Sequence, residues 1–154
     1  MKLPDKLHLV SRGDVNDLLS SFSKHGFKLE DREWPSVEHY FQAMKFDDAD
    51  YQEKIRLAEH PKKARKLGRT RRKKLRRDWS KVRTVIMTRG LYTKCKAHPE
   101  VAEALLNTGD IHIQENSLYD YFWGTGRDAR GKNAYGQVLM NIRAKLREEL
   151  ASAG

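Results

Sequence analysis

Apolar residues recur along this chain at two spacings, and the alternation of those spacings sketches a fold. Leu7 to Val10 is a short apolar run that reads as a strand, and Phe27 to Leu29 reads as a second. Val37, Tyr40, Phe41 and Met44 then form a helical stripe that should end near Asp47. Pro35 is placed to open that helix, because its missing N–H is one the first turn leaves unpaired. Residues 50 to 59 carry Tyr51, Ile55 and Ala58 on one helical face. A short helix follows from Pro61, with Gly68 expected as the left-handed residue that stops it. From Trp79, the residues Val82, Val85 and Ile86 keep helical phase, while Leu91 and Cys95 fall on the other side. That helix is therefore either apolar on two faces or interrupted near Gly90. Pro99 opens the next helix, which Gly109 closes after Leu105 and Leu106. Ile111 and Ile113 alternate with His112 and Gln114, as in a strand. The last helix is the clearest, with Tyr135, Val138, Leu139, Ile142, Leu146 and Leu150 at a period of 3.6. Residues 14 to 23 show no readable period, and the end of the chain from residue 151 should fray. The pattern predicts an α+β domain, predominantly helical with a few short strands, spanning residues 1–154 as one unit.

Composition narrows this picture. With 154 residues, 38% apolar and 34% charged, the chain is long enough to bury a core and too organised to be disordered. A single cysteine, Cys95, excludes an internal disulfide and any multi-cysteine metal site. Cys95 itself reads as a small packed residue. The six histidines lack zinc-type spacing. No run approaches the length of a membrane span and no apolar signal core opens the sequence, so the expected location is the cytoplasm. Residues 62–83 hold 13 Lys and Arg against one acid, Asp78, a net of +12. The whole chain is +10, so everything else sums to −2. Such a run attracts polyanions, whether nucleic acid, a phosphorylated small molecule or an acidic partner, although a solvated helix face gives the same pattern.

Three constellations could carry chemistry. Glu38 and Asp120 are carboxylates in aromatic company, the first beside Gln42 and among Trp34, Tyr40 and Phe41, the second followed by Tyr121, Phe122 and Trp123. Burying an acid is costly unless it is paired, which draws attention to Glu38. Cleavage at an anomeric carbon builds positive charge that one carboxylate can stabilise while another activates water. Residue spacing alone favours the plainer reading, in which Glu38 braces its helix and Asp120 caps a turn. The second constellation is the loop with Gly124, Gly126 and Gly131 together with Arg127, Arg130 and Lys132, whose backbone N–H groups could cradle phosphate. Asn133 is placed to cap the terminal helix. The third is the end of the basic run, where Asp78 could cap the helix begun by Trp79, and Arg69 and Arg76 could bind phosphates as forks.

The segments Trp34 to Phe46, then Gly68-Arg69, Arg76-Arg77-Asp78-Trp79, Asp120 to Gly126 and Gly131-Lys132-Asn133, and then Gly136, Leu139-Met140 and Arg143, occur in the order and spacing of a known family. Over roughly residues 20 to 150 the chain resembles the NADAR (YbiA-like) family. The resemblance implies an N-glycosidase that hydrolyses a ribose–nitrogen bond without metal or redox cofactor. One branch of the family acts on phosphoribosylamino intermediates of riboflavin biosynthesis, and another removes ADP-ribose from guanine, including guanine in DNA. The implied catalytic residues are Glu38, Trp79 and Asp120. Ser21, Phe22, Gln42, Lys45, Arg69, Arg76, Trp123, Gly124 and Asn133 are the expected substrate contacts. Where family members often carry Ser-Asn-Phe, this chain has Ser20-Ser21-Phe22, and a serine reaches less far and offers one donor instead of two. The competing class is a non-enzymatic nucleic-acid-binding protein built on segment 62–83, which leaves the two aromatic-acid motifs unexplained.

Overall fold

The computed structural model describes residues 6–153. Four short strands, β1 (Leu7–Val10), β2 (Phe27–Leu29), β3 (Arg32–Trp34) and β4 (His112–Glu115), accompany six helices. These are α1 (Val37–Ala43), α2 (Ala49–Arg56), α3 (Pro61–Gly68), α4 (Trp79–Ala97), α5 (Pro99–Leu106) and α6 (Ala134–Ala153). The predominantly helical α+β class read from the sequence is the one observed. No described helix is long and apolar enough to cross a membrane.

β1 pairs in parallel with β4, Leu7 opposite His112 through Val10 opposite Glu115, which joins the first strand to the last. β2 and β3 form a hairpin in which Phe27 faces Trp34. Its two-residue turn, Glu30-Asp31, holds both residues at positive φ (55° and 61°), as a type I′ connection requires. β3 was not expected, because the turn lacks the Asn-Gly or Asp-Gly signature that usually announces such a hairpin.

α1 lies at the centre. All seven of its residues are buried, and it packs on α2, α3 and α4. It starts later than expected: Pro35 precedes the cap, and Ser36 is the N-cap, its hydroxyl accepting from the His39 N–H. The helix also stops at Ala43, short of Asp47. Gly68 lies inside α3 with no positive φ, so it is not a left-handed stop. Its hydrogen is needed because a Cβ there would collide with Gln42 of α1.

α4 is one unbroken helix of 19 residues. Its buried stripe runs through Ile86, Met87, Gly90, Leu91, Lys94 and Cys95, and Gly90 sits against Val37 and Tyr40. Val85, expected in the core, is exposed. Burial pushes the Cys95 thiol up to about 11. α6 buries Tyr135, Val138, Leu139, Ile142 and Leu146 as predicted, leaves Leu150 in solvent, and keeps helical form to Ala153 where fraying was expected. Residue 154 lies outside the described residues.

Segment 14–23, unreadable in the sequence, is a series of turns held from below. The buried Lys94 ammonium donates to the carbonyls of Leu18 (2.6 Å) and Ser20 (2.8 Å), and the Tyr135 hydroxyl donates to Leu19 (2.6 Å). Substituting Lys94→Met keeps the aliphatic stem and leaves two carbonyls without a donor. Urea denaturation should show a loss of about 2 kcal/mol or more, since each buried group left unpaired costs about 1–3 kcal/mol.

Candidate functional site

Glu38 sits in the first turn of α1 with no exposed surface. Its Oε1 accepts from the Ser21 hydroxyl (3.0 Å) and its Oε2 from the Gln42 amide (3.0 Å). Arg65 of α3 lies along both oxygens, with Nε 3.1 Å from Oε2 and one terminal nitrogen 3.4 Å from Oε1. A nitrogen of Arg12 stands 3.6 Å from Oε1. Burial pushes this carboxyl up, but Arg65, Arg12 and the hydrogen bonds from Arg65 and Gln42 outweigh it and hold the group down at about 2. Glu38 is therefore ionised, and in the resting protein two guanidiniums cover and neutralise it.

Arg12 also reaches Asp120 with its other terminal nitrogen, at 3.2 Å. One guanidinium thus stands between the two carboxylates that are 82 residues apart in the chain. Asp120 caps its own turn, Oδ1 accepting from the N–H groups of Phe122 (3.0 Å) and Trp123 (2.8 Å). Unlike Glu38 it keeps an open edge, with 27% of its side chain exposed. It borders a cavity of about 510 Å³ lined also by Arg12, Arg65, Arg69, Tyr119 and Phe122. Arg65 and Arg69 are shared with a second, larger groove of about 1180 Å³ floored by Phe22 and Leu67 and rimmed by Lys62, Lys63 and Lys66. The guanidinium of Arg65 stacks on Phe22, 4.2 Å from the ring centre.

Aromatic rings wall the carboxylate region. Phe41 packs against Trp79 (5.1 Å between centroids) and edge-on to Trp123 (5.5 Å), and Trp123 packs against Phe122 (4.8 Å). Arg83 lies over the face of Phe122 at 3.4 Å. Lys45, one turn beyond Gln42, donates to the carbonyl of Gly68 (3.3 Å) and sits 5.8 Å from the Phe41 centroid. Burial, together with Arg69, Arg12 and Arg65, overcomes the pull of Glu38 and lowers Lys45 to about 8. Arg69 is lowered as well, by burial and then by Arg65 and Arg12. Four cations (Arg12, Lys45, Arg65, Arg69) thus face Glu38 and Asp120, with the buried Glu115 carboxylate behind Arg12, and positive charge predominates.

The structure sorts the expected contacts. Ser21, Phe22, Gln42, Lys45, Arg69, Trp79 and Trp123 gather on or beside this site. Arg76 does not: its fork is taken by Asp78 (2.6 and 3.1 Å) and by the carbonyl of Met44. Asp78 consequently makes no side-chain cap to α4. Gly124 is buried, and a Cβ there would meet the Glu115 carboxylate. Asn133 is also buried, and its amide accepts from the N–H of Glu115 (2.9 Å) and donates to the carbonyl of Ile113 (2.9 Å), so its side chain clamps β4 instead of capping α6. The glycine loop is no phosphate cradle: the N–H groups of residues 131 to 135 donate to the carbonyls of residues 121 to 125.

Sequence reasoning missed Arg12, Arg65 and Glu115. Arg12 lies in the segment without a period, and Arg65 is one of 13 basic residues in its run. Glu115 is fully buried and orients Arg12, Oε2 accepting the Arg12 N–H at 2.8 Å. The signal that could have found it is an acid at an inward position of β4.

The chain is similar to known proteins along most of its length. A family model described as the NADAR domain matches residues 10–147. The N-glycosidase of Nostoc punctiforme is 42% identical over 138 residues, covering 88% of each chain. The solution structure of Escherichia coli YbiA superimposes with a TM-score of 0.86 at 35% identity, covering 97% of this chain and 90% of that one. A riboflavin biosynthesis protein of Vibrio vulnificus is 42% identical over 115 residues, 75% of this chain but 31% of that longer protein. The whole-length agreement in sequence and fold leaves the non-enzymatic nucleic-acid binder without support, and the chain belongs to the NADAR domain family of N-glycosidases.

Proposed function

We propose that this protein hydrolyses the N-ribosyl bond of a phosphoribosylamino pyrimidine, the kind of intermediate formed in riboflavin biosynthesis. The observation that carries the reading is the pair of carboxylates on either side of Arg12, set in a cluster where positive charge predominates. A phosphate monoester dianion supplies the negative charge that this cluster lacks. The ribose then lies beside Arg12, in the cavity that Asp120 borders and next to the edge of Glu38 under Arg65, with its nitrogen base against the aromatic wall of Trp79, Phe122 and Trp123. As the C1′–N bond breaks, its electron pair goes to the departing nitrogen, which takes up a proton, and positive charge spreads over C1′ and the ring oxygen. Glu38, ionised down to about pH 2, stabilises that charge. Asp120, the exposed carboxylate, positions the water and accepts its proton as the water oxygen forms the new bond to C1′. Ser21 and Gln42 hold Glu38 in place. A riboflavin biosynthesis protein among the relatives supports this substrate class.

A second reading has its own observation. The groove beyond Arg65 and Arg69, at about 1180 Å³, has room and charge for the remainder of an ADP-ribosyl group, and segment 62–83 adds positive charge that nucleic acid would meet. Incubation with the phosphoribosylamino pyrimidine, and separately with ADP-ribosylated guanine in DNA, followed by chromatography of the released sugar, decides between them. Release of ribose 5-phosphate from the first is the expected result; release from the second alone transfers the assignment.

The lowered Lys45 gives a pH test. Below about 8 it carries the charge that helps hold phosphate, and above that it is neutral. For the phosphorylated substrate, kcat/KM should fall as pH rises through about 8. In the Lys45→Arg variant that fall should vanish from the accessible range, because a guanidinium keeps its proton beyond pH ~12. An alkaline limb unmoved by the substitution would assign it to another group.

A further inference from the structure

A carboxylate neutralised by two arginines and sealed from solvent stabilises a cation poorly. Glu38 is in that state, with no surface exposed and both oxygens in contact with guanidinium. Of its two covers, Arg12 is fixed. It is only 8% exposed, is tied at its N–H to Glu115, and is pinned by Asp120. Arg65 is more accessible, at 19%, and it lines both cavities. Its ring contact is the flat face of Phe22, over which a guanidinium can slide, and beside it stands Gly13, which has no side chain to block the path. Among the described residues, nothing but Glu38 accepts hydrogen bonds from the Arg65 guanidinium.

We infer that Arg65 is the specificity-determining residue of the site: the phosphate of the substrate draws it off Glu38, so that the carboxylate is freed only when a phosphorylated sugar is present. This rests on the phosphate-bearing substrate proposed above. The exchange is electrostatically favourable, because a phosphate dianion offers Arg65 twice the charge of a carboxylate and the same two-pronged geometry. Glu38 meanwhile keeps Ser21, Gln42 and Arg12, so it stays ionised as it becomes uncovered. Selectivity for phosphate then appears in kcat as well as in KM, since the group spends part of its binding energy on assembling the catalytic charge.

The test separates the phosphate from the sugar. Turnover of the phosphoribosylamine by the native protein first establishes the substrate reading; its absence counts against that reading alone. With turnover in hand, inorganic phosphite is added to the unphosphorylated riboside. Saturable activation of about tenfold or more is expected in the native protein. No activation is expected in Arg65→Met, where Glu38 has lost this cover and the kcat preference for phosphorylated substrate should collapse. Arg65→Lys, which keeps the charge but loses the fork, should fall between them and serves if the methionine variant does not fold. A readout independent of turnover is the Arg65 Nε–H resonance, held by Glu38 at rest, which should shift on titration with ribose 5-phosphate and not with ribose. A native protein insensitive to phosphite, a methionine variant with undiminished phosphate preference in kcat, or an Arg65 signal that ignores ribose 5-phosphate would each overturn the inference.

Discussion

Replacing Glu38 with glutamine will lower kcat for ribose release by about three orders of magnitude, near 4 kcal/mol of transition-state stabilisation. The amide preserves size and can still meet Ser21, but it carries no charge to set against the oxocarbenium ion. The substitution also strands Arg65 and Arg12 without their shared anion, and breaking a buried pair in this way costs about 3 kcal/mol in stability. The two effects separate through pH. Glu38 is held at about 2 in the folded protein against an ordinary 4.5, so its contribution to stability is fully present above pH 4.5 and is lost as pH falls toward 2. Denaturation profiles of native protein and variant should therefore differ at pH 7 and converge toward pH 2. Near-native turnover in the folded variant would remove Glu38 from the chemistry.

Asp120→Asn is the complementary case, with an expected loss of about 10²- to 10³-fold in kcat and little change in KM. The asparagine oxygen can still accept from the N–H groups of Phe122 and Trp123, so the turn that seats Trp123 survives. What disappears is the acceptor for the water proton and one anion beside Arg12. Because the side chain is partly exposed, the stability cost should stay under about 1 kcal/mol. Single-turnover kinetics at saturating substrate read this directly. A variant within about threefold of the native rate would leave Asp120 as a turn cap, which is how its spacing alone first reads.

Much of the scaffold was legible because its signals are local. The stripe of α6 and the proline and glycine punctuation of α5 follow from period and backbone chemistry. The errors are instructive for the same reason. The Glu30-Asp31 turn adopts left-handed φ values that its residue types do not advertise, so β3 went unseen. Val85 keeps apparent phase with Ile86 yet faces solvent, because the stripe of α4 was decided by where Val37 and Tyr40 of α1 meet Gly90. Gly68 and Gly124 resemble turn glycines in sequence, but their positions are set by contact with Gln42 and Glu115 from distant segments.

The site divides along the same line. Residue order by itself established the family resemblance, put Glu38 on a buried aromatic helix and attached Asp120 to Trp123, since each depends on neighbours within a few positions. Only the tertiary structure chose Arg12 and Arg65 from 31 basic residues and set them against those acids. Coulombic attraction depends on separation in space, and the lowered pKa of Glu38, its sealed state and the surplus positive charge around it arise only when the loop after β1, α1, α3 and the Asp120 turn come within a few ångströms of one another.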